Sequence, residues 1–281
     1  MHMVYARGMT LKVRNRLLLV FFAASFLASM ISIALFFHAL LNKHISNPDT
    51  LVRLLKLPDT KLFGYRQPAT ISAIICFELY AVLTTIFLYF HFEKTQAMEV
   101  IYFCGFLIGC LCEGVRLLVP TYNLWHASSM QIFVTRTILT GRILAPLSLL
   151  FSALFNETEK RQYAERNFII MLQLAIMAGL LYPLQTFHIS SEFTSGWGLR
   201  ALFHSIRIGL ILATLSVTIY KGLTNNVSET IKQSIALLIL LTGYTLLCRT
   251  DCYFNLAIGF LLQVSGTVYY LLTLHSMYLW K

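Results

Sequence analysis

Charge is what this sequence has least of. Only 12% of its 281 residues are Asp, Glu, Lys or Arg, about half the share of an ordinary soluble domain. No polar block is long enough to form a soluble catalytic or DNA-binding module. Aspartate is scarcer still: Asp49, Asp59 and Asp251 all fall outside the apolar runs, which excludes an aspartyl membrane protease built on two intramembrane aspartates. No lysine lies in the middle of an apolar run, so a retinal Schiff base is excluded as well. The metalloprotease pattern H-E-x-x-H and the nucleophile elbow G-x-S-x-G are missing. His188, His204 and His275 fall toward opposite membrane faces, which argues against a shared metal. No cofactor motif is present, and no cofactor is expected. No internal repeat stands out, which weakens an inverted-repeat transporter.

The six cysteines show no zinc-site spacing. Cys76, Cys104, Cys110 and Cys112 fall within apolar runs and read as small buried side chains. Cys248 and Cys252 flank a short polar turn and could bridge in an oxidising compartment.

What the chain has in abundance is apolar length. It is 57% hydrophobic, with a mean hydropathy of +0.70. Windows of roughly 20 residues give candidate spans at 17–42, 71–92, 98–119, 130–155, 168–188, 198–221, 233–249 and 252–279. Seven spans is the alternative, because 233–249 is short and barely separated from its successor. The alternating pattern of an outer-membrane barrel is absent. The first run follows Arg7, Lys12, Arg14 and Arg16 as a signal peptide would, but its apolar part is too long for an h-region and reads as a span. The expectation is an all-α polytopic membrane protein, a bundle of about eight transmembrane helices forming one domain over 1–281.

Lys and Arg in the loops set the orientation. The N-terminal side carries Arg7, Lys12, Arg14, Arg16, Lys94, Lys160, Arg161, Arg166, Lys221, Lys232 and Lys281. The opposite side carries Lys43, Arg53, Lys56, Lys61 and Arg66 in one longer loop, then Arg200 and Arg249. Both termini are therefore expected in the cytoplasm of a cell inner (plasma) membrane, with the 43–70 loop the main evidence against. The triplets at Asn156 and Asn226 then fall in the cytoplasm, where glycosylation does not apply. The net charge of +10 suits anchoring to anionic membrane lipids. Nucleic-acid binding is not expected. Leu51, Val52, Leu54, Leu55 and Leu57 beside Arg53 and Lys56 make an amphipathic patch suited to the membrane surface, and 156–167 reads as a solvated helix extension.

The few charges within the spans gather in the outer half of the membrane: Glu78, Glu113, Arg116, Arg136, Arg142 and Arg207, with His204 one turn from Arg207. Below them the helices read as almost purely apolar. Glu113 and Arg116 are spaced to share a helix face and pair. Pro146 removes the hydrogen bond to the carbonyl of Arg142, and with Gly141 it predicts a bend that turns Arg142 inward, within reach of Glu78 or Glu113. Pro183 predicts a second bend. Tyr122, Trp125 and Trp197 read as an interfacial aromatic belt. Intramembrane charges are costly and mark candidate functional sites. The excess of arginine points to an anionic ligand held by planar guanidinium forks.

The expected function is sensing or regulation by an anionic ligand or lipid, with a separate signalling partner protein. The alternatives are a transporter or flippase for an anionic solute, which needs a polar path to the cytoplasm, and a lipid-modifying enzyme. For the enzyme, Glu78, Glu113 and His204 are the candidate bases. The orientation is testable in intact cells, in a background lacking the six native cysteines. A membrane-impermeant thiol reagent should spare a cysteine added at either terminus until the cells are permeabilised. Reaction in intact cells would reverse the orientation.

Overall fold

The structure is a computed structural model, and it describes residues 11–41, 64–92, 97–125, 128–155, 164–224 and 228–279. Most of the amphipathic stretch at 47–68 and of the 156–167 extension lies outside these residues, as do the triplets at Asn156 and Asn226.

Nine α-helices are assigned among the described residues: α1 (Leu11–Leu41), α2 (Gln67–Phe92), α3 (Glu99–Cys112), α4 (Leu118–Thr121), α5 (Ser128–Leu154), α6 (Ala164–Leu181), α7 (Arg200–Thr224), α8 (Ser228–Cys248) and α9 (Tyr253–Leu279). A 3-10 turn over Glu113–Leu117 joins α3 to α4 within the third span. Among the described residues, eight helical segments are long and apolar enough to cross a membrane, so the chain is a multi-pass helical membrane protein. Eight such crossings put Leu11 of α1 and Leu279 of α9 at the same end of the bundle, here the termini end. The other side carries the α6–α7 connection, here the hairpin end.

Two features depart from the sequence reading. The fifth span, α6, ends at Leu181 instead of running to 188, because the residue before Pro183 is pushed out of helical geometry. Leu184–Ile189 and Ser195–Trp197 then pair as an antiparallel hairpin, β1 and β2, so Pro183 ends a helix where a bend was expected. Across that junction the Tyr182 hydroxyl donates to the Leu199 carbonyl. Pro146, in contrast, sits inside α5, which is assigned unbroken to Leu154.

The core lies among α2, α3, α5, α8 and α9, around Phe77, Phe103, Phe106, Tyr244 and Tyr270. Phe103 stacks on Tyr270, and Tyr244 meets Phe77 and Phe106 edge-on. Exposed apolar side chains cover α1, α6 and α7, among them Leu27, Ile31, Leu174, Met177, Leu202, Ile208 and Leu212. Lipid supplies no hydrophobic drive between helices, so close packing must hold them together, and small residues permit it.

Glycine marks the tightest contacts. A Cβ at Gly109 would stand 2.8 Å from the Gly141 carbonyl oxygen, so α3 and α5 nearly touch. A Cβ at Gly243 would meet the Gln263 nitrogen at 2.3 Å, and one at Gly266 would meet the Leu240 nitrogen at 2.4 Å. The α8–α9 pair thus rests on glycines of both helices.

The half of the bundle toward the termini is less apolar than the sequence suggests. Polar groups from the middle of the bundle to that end pair with one another: Tyr80 with Thr267 (2.6 Å), Ser152 with Tyr270 (3.2 Å) and the half-buried Tyr278 with Glu99 (2.7 Å). Sequence hydropathy averages over such hydroxyls, since each sits on an otherwise apolar turn.

Gly243→Val is expected to lower the thermal midpoint in detergent, costing ~3 kcal/mol or more by overpacking against backbone. Gly209→Val, at a site with no atom within 4 Å of the added Cβ, should leave it unchanged. Equal effects would contradict the close α8–α9 approach.

Candidate functional site

The site begins with the 3-10 turn. In a 3-10 helix residues three apart eclipse one another, which lays Arg116 over Glu113: Nη1 donates to Oε2 at 2.8 Å. The glycine crossing of α3 and α5 then sets Arg142 beside the same carboxylate. Its Nε donates to Glu113 Oε1 at 2.7 Å and its Nη2 to Oε2 at 3.2 Å, a two-pronged fork. Glu113, Arg116 and Arg142 are all fully buried. Gly141 therefore serves close approach between helices, a tighter constraint than slack in a bend. Arg142 faces inward as expected, with Glu113 and not Glu78 as its partner.

Sequence reasoning missed the other half of this arrangement. Glu192, in the loop between β1 and β2, is 1% exposed and accepts from Arg142 Nη1 at 2.7 Å. Its backbone carbonyl accepts from Arg116 Nε at 2.8 Å. A tight local turn aims it: Ser190 N donates to the Thr194 carbonyl at 2.8 Å, and Phe193 takes a positive φ of 60°. Phe193 is buried against Trp125 and anchors the loop. Arg142 Nη2 also donates to the Cys248 carbonyl at 2.8 Å, a natural place for a cation at the C-terminal end of α8. Two guanidinium groups and two carboxylates thus join α3, α5, α8 and the hairpin into a charge-balanced lock.

The lock corrects several expectations. Arg116 and Arg142 bond to the protein's own carboxylates, and Arg116 Nη2 is left without a hydrogen-bond partner. Glu78 is buried but makes no ion pair among the described residues. Arg136 is half-buried, makes no ion pair there either, and its Nε has no partner. It sits on a different face of α5 from Arg142. Trp125 and Trp197 are buried within the protein, and only Tyr122 keeps the exposure of a belt residue. Cys248 and Cys252 are both free thiols. His188 falls in β1 instead of at a helix end.

A second set of charges stays open. Arg207 on α7 is only 3% exposed, and its Nε and Nη2 have no hydrogen-bond partner. Its guanidinium carbon stands 5.9 Å from the Tyr244 ring centroid. His204, three residues earlier, shares its helix face. Arg249, in the turn between α8 and α9, places Nη2 2.7 Å from His204 Nδ1. Burial draws the Arg249 pKa below the ordinary guanidinium value, with Glu192 opposing that shift.

Trp197 touches both sets. Its ring lies 5.4 Å from the Arg142 guanidinium carbon and 5.6 Å from the His204 ring, and its buried Nε1 has no partner. One signal in the sequence pointed to Glu192. Arginine outnumbered acids in the outer layer, and Glu192 is an acid in the short loop between the fifth and sixth spans on that side.

Comparison with protein families, with curated proteins and with solved structures gives no match for this chain. The chemistry of the two charged sets is therefore the basis for a functional reading.

The lock predicts a specific pattern of stabilities. Arg142→Met leaves two buried carboxylates with one guanidinium and should cost ~3–5 kcal/mol. Removing one charge of each sign, Arg142→Met with Glu192→Gln, leaves Glu113 on Arg116 and should recover much of that loss. Thermal unfolding in detergent reads both, and equal losses would contradict a balanced lock.

Proposed function

We propose that this chain is a multi-pass protein of the plasma (inner) membrane, with both termini cytoplasmic, that binds an anionic group at Arg207, His204 and Arg249. The group is a phosphate or carboxylate, carried by a lipid headgroup or a small ligand. The observation that carries this reading is the buried Arg207 guanidinium with two unpaired nitrogens. A buried charge without a partner is costly, and an oxyanion accepting from Nε and Nη2 would remove that cost with two-pronged geometry. Arg249 and His204 are half-buried, which leaves an approach from the hairpin end.

Sensing or regulation is the role the arrangement favours. Trp197 links the open set to Arg142, so filling the open set perturbs the contacts that hold the hairpin to α3, α5 and α8. A separate partner protein would carry the signal onward.

Transport is the second reading, favoured by the buried polar groups on the termini side. Gln263 Nε2 lies 3.7 Å from Cys110 Sγ, and the Tyr80–Thr267, Ser152–Tyr270 and Tyr278–Glu99 pairs lie along the same half.

Native mass spectrometry of the full-length protein, incubated with phosphatidylglycerol, phosphatidylcholine or inorganic phosphate, tests the binding. An anionic adduct is expected on the wild type, weakened about tenfold or more in Arg207→Gln, the effect of losing a hydrogen bond to a charged group. Preference for phosphatidylglycerol assigns a lipid headgroup, and binding of phosphate alone assigns a soluble anion. Equal binding by wild type and Arg207→Gln would overturn the site. Uptake of the bound anion into sealed vesicles would favour transport over sensing.

A further inference from the structure

Glu78 stands apart from both charged sets. It lies near the middle of α2, is 2% exposed, and has one carboxyl oxygen, Oε2, without a hydrogen-bond partner. Ser32 of α1 is a neighbour of its carboxyl. Ser29, three residues earlier on the same face of α1, is 4% exposed, and its hydroxyl is unpartnered. The backbone of the 3-10 turn closes the other side: a Cβ at Gly114 would stand 2.1 Å from Glu78 Oε1. The cradle is thus formed by α1, α2 and the 3-10 turn, and glycine at 114 is what leaves room for the carboxyl.

The charged and titratable groups on the surrounding elements are engaged elsewhere or lie at the helix ends. On the 3-10 turn, Arg116 is bonded to Glu113 and to the Glu192 carbonyl. On α3, Cys110 faces Gln263, Cys112 is a half-buried thiol, and Glu99 accepts from Tyr278. On α2 itself, Tyr80 pairs with Thr267, Cys76 is a half-buried thiol, and His91 stacks on Phe87 at the termini end. On α1, Arg14 donates to the Phe92 carbonyl near the termini end, and His38 is exposed near the opposite end. On α9, Tyr270 pairs with Ser152, and His275 packs on Phe92 at the termini end. No cation among the described residues forms an ion pair with Glu78.

A lone carboxylate in an apolar interior costs far more than the neutral acid. A metal ion would need several oxygen ligands, and among the described residues a single carboxyl has serine hydroxyls beside it and no group of three or more His, Cys, Asp or Glu able to hold a metal is found. A proton requires no further ligand. We infer that Glu78 is a proton-binding site in the α1–α2–3-10 junction, distinct from the anion site. Its carboxyl binds and releases a proton while the lock keeps its charges. Because it lies against Gly114, beside Glu113, a change of charge at Glu78 acts on the 3-10 turn that sets the lock. The protein then responds to pH through a group that no anionic ligand touches.

Carbodiimides add to a buried protonated carboxyl and not to a carboxylate, giving an O-acylurea that rearranges in an apolar site to a stable N-acylurea, which gives a direct test on the full-length protein. A fluorescent cyclohexylcarbodiimide is reacted across a pH series in sodium-free buffer, and the modified residue is located by peptide mass spectrometry. Glu78 is expected to take the label, to lose it as the pH is raised, and to be unlabelled in Glu78→Gln. Absence of label on Glu78 at acidic pH, or labelling that does not change with pH, would overturn the proton site. Suppression by added sodium at constant pH would also overturn it, in favour of a metal cation. The wild-type series decides the matter even if Glu78→Gln folds poorly.

Discussion

The Glu113 carboxylate, held dry between Arg142 and Arg116, is the interaction on which the hairpin end depends. In water such a charge needs nothing from the protein. In a helix bundle it must be given hydrogen bonds by other chain segments, and each donor comes with demands of its own. Arg142 must reach it, so α3 and α5 must nearly touch, and Gly109 and Gly141 allow that. Arg142 and Arg116 together then carry more charge than Glu113 offsets, so the hairpin must supply Glu192. A buried ion pair contributes little net stability and is very sensitive to loss of one partner. It is therefore better suited to fixing which segments meet than to holding the bundle together. Apolar packing and the glycine contacts of α8 and α9 do the latter.

Much of the architecture was legible in apolar length alone, because a spanning helix must satisfy its backbone internally and declares itself as a long run. The span at 71–92 lies within α2, and that at 98–119 overlaps nearly all of the third span, Glu99–Thr121. Legibility failed where backbone geometry changes without a change in hydropathy. The 3-10 turn at Glu113–Leu117 carries no composition signal, and the β-hairpin hides in a segment whose start, Leu184–Ile189, looks like the tail of a span. Only Pro183 hinted at the break.

At the site, the Glu113–Arg116 pair was readable from spacing, and the inward turn of Arg142 from the cost of facing lipid. Glu192 was not readable in this way, because its role depends on a turn that folds a loop residue back into the bundle. Its absence from the sequence reading had a consequence: arginines that looked free for a ligand are in fact neutralised. The excess charge shifts to Arg207, already placed in the charged layer by its position in an apolar run, and to Arg249 in the turn between α8 and α9. Trp125 and Trp197 were misread for a related reason, since belt residues and hairpin-packing residues have the same composition near a span end.

The central claim is that a closed, charge-balanced lock lies beside an open basic set that, among the described residues, forms no ion pair with the protein's own carboxylates. An experimental density map of the protein in nanodiscs containing anionic lipid tests it most directly. The account predicts Arg142 on both Glu113 and Glu192, together with non-protein density within hydrogen-bonding distance of Arg207 Nε and Nη2. Arg207 paired with one of the protein's own carboxylates, or Glu192 turned away from Arg142, would contradict it.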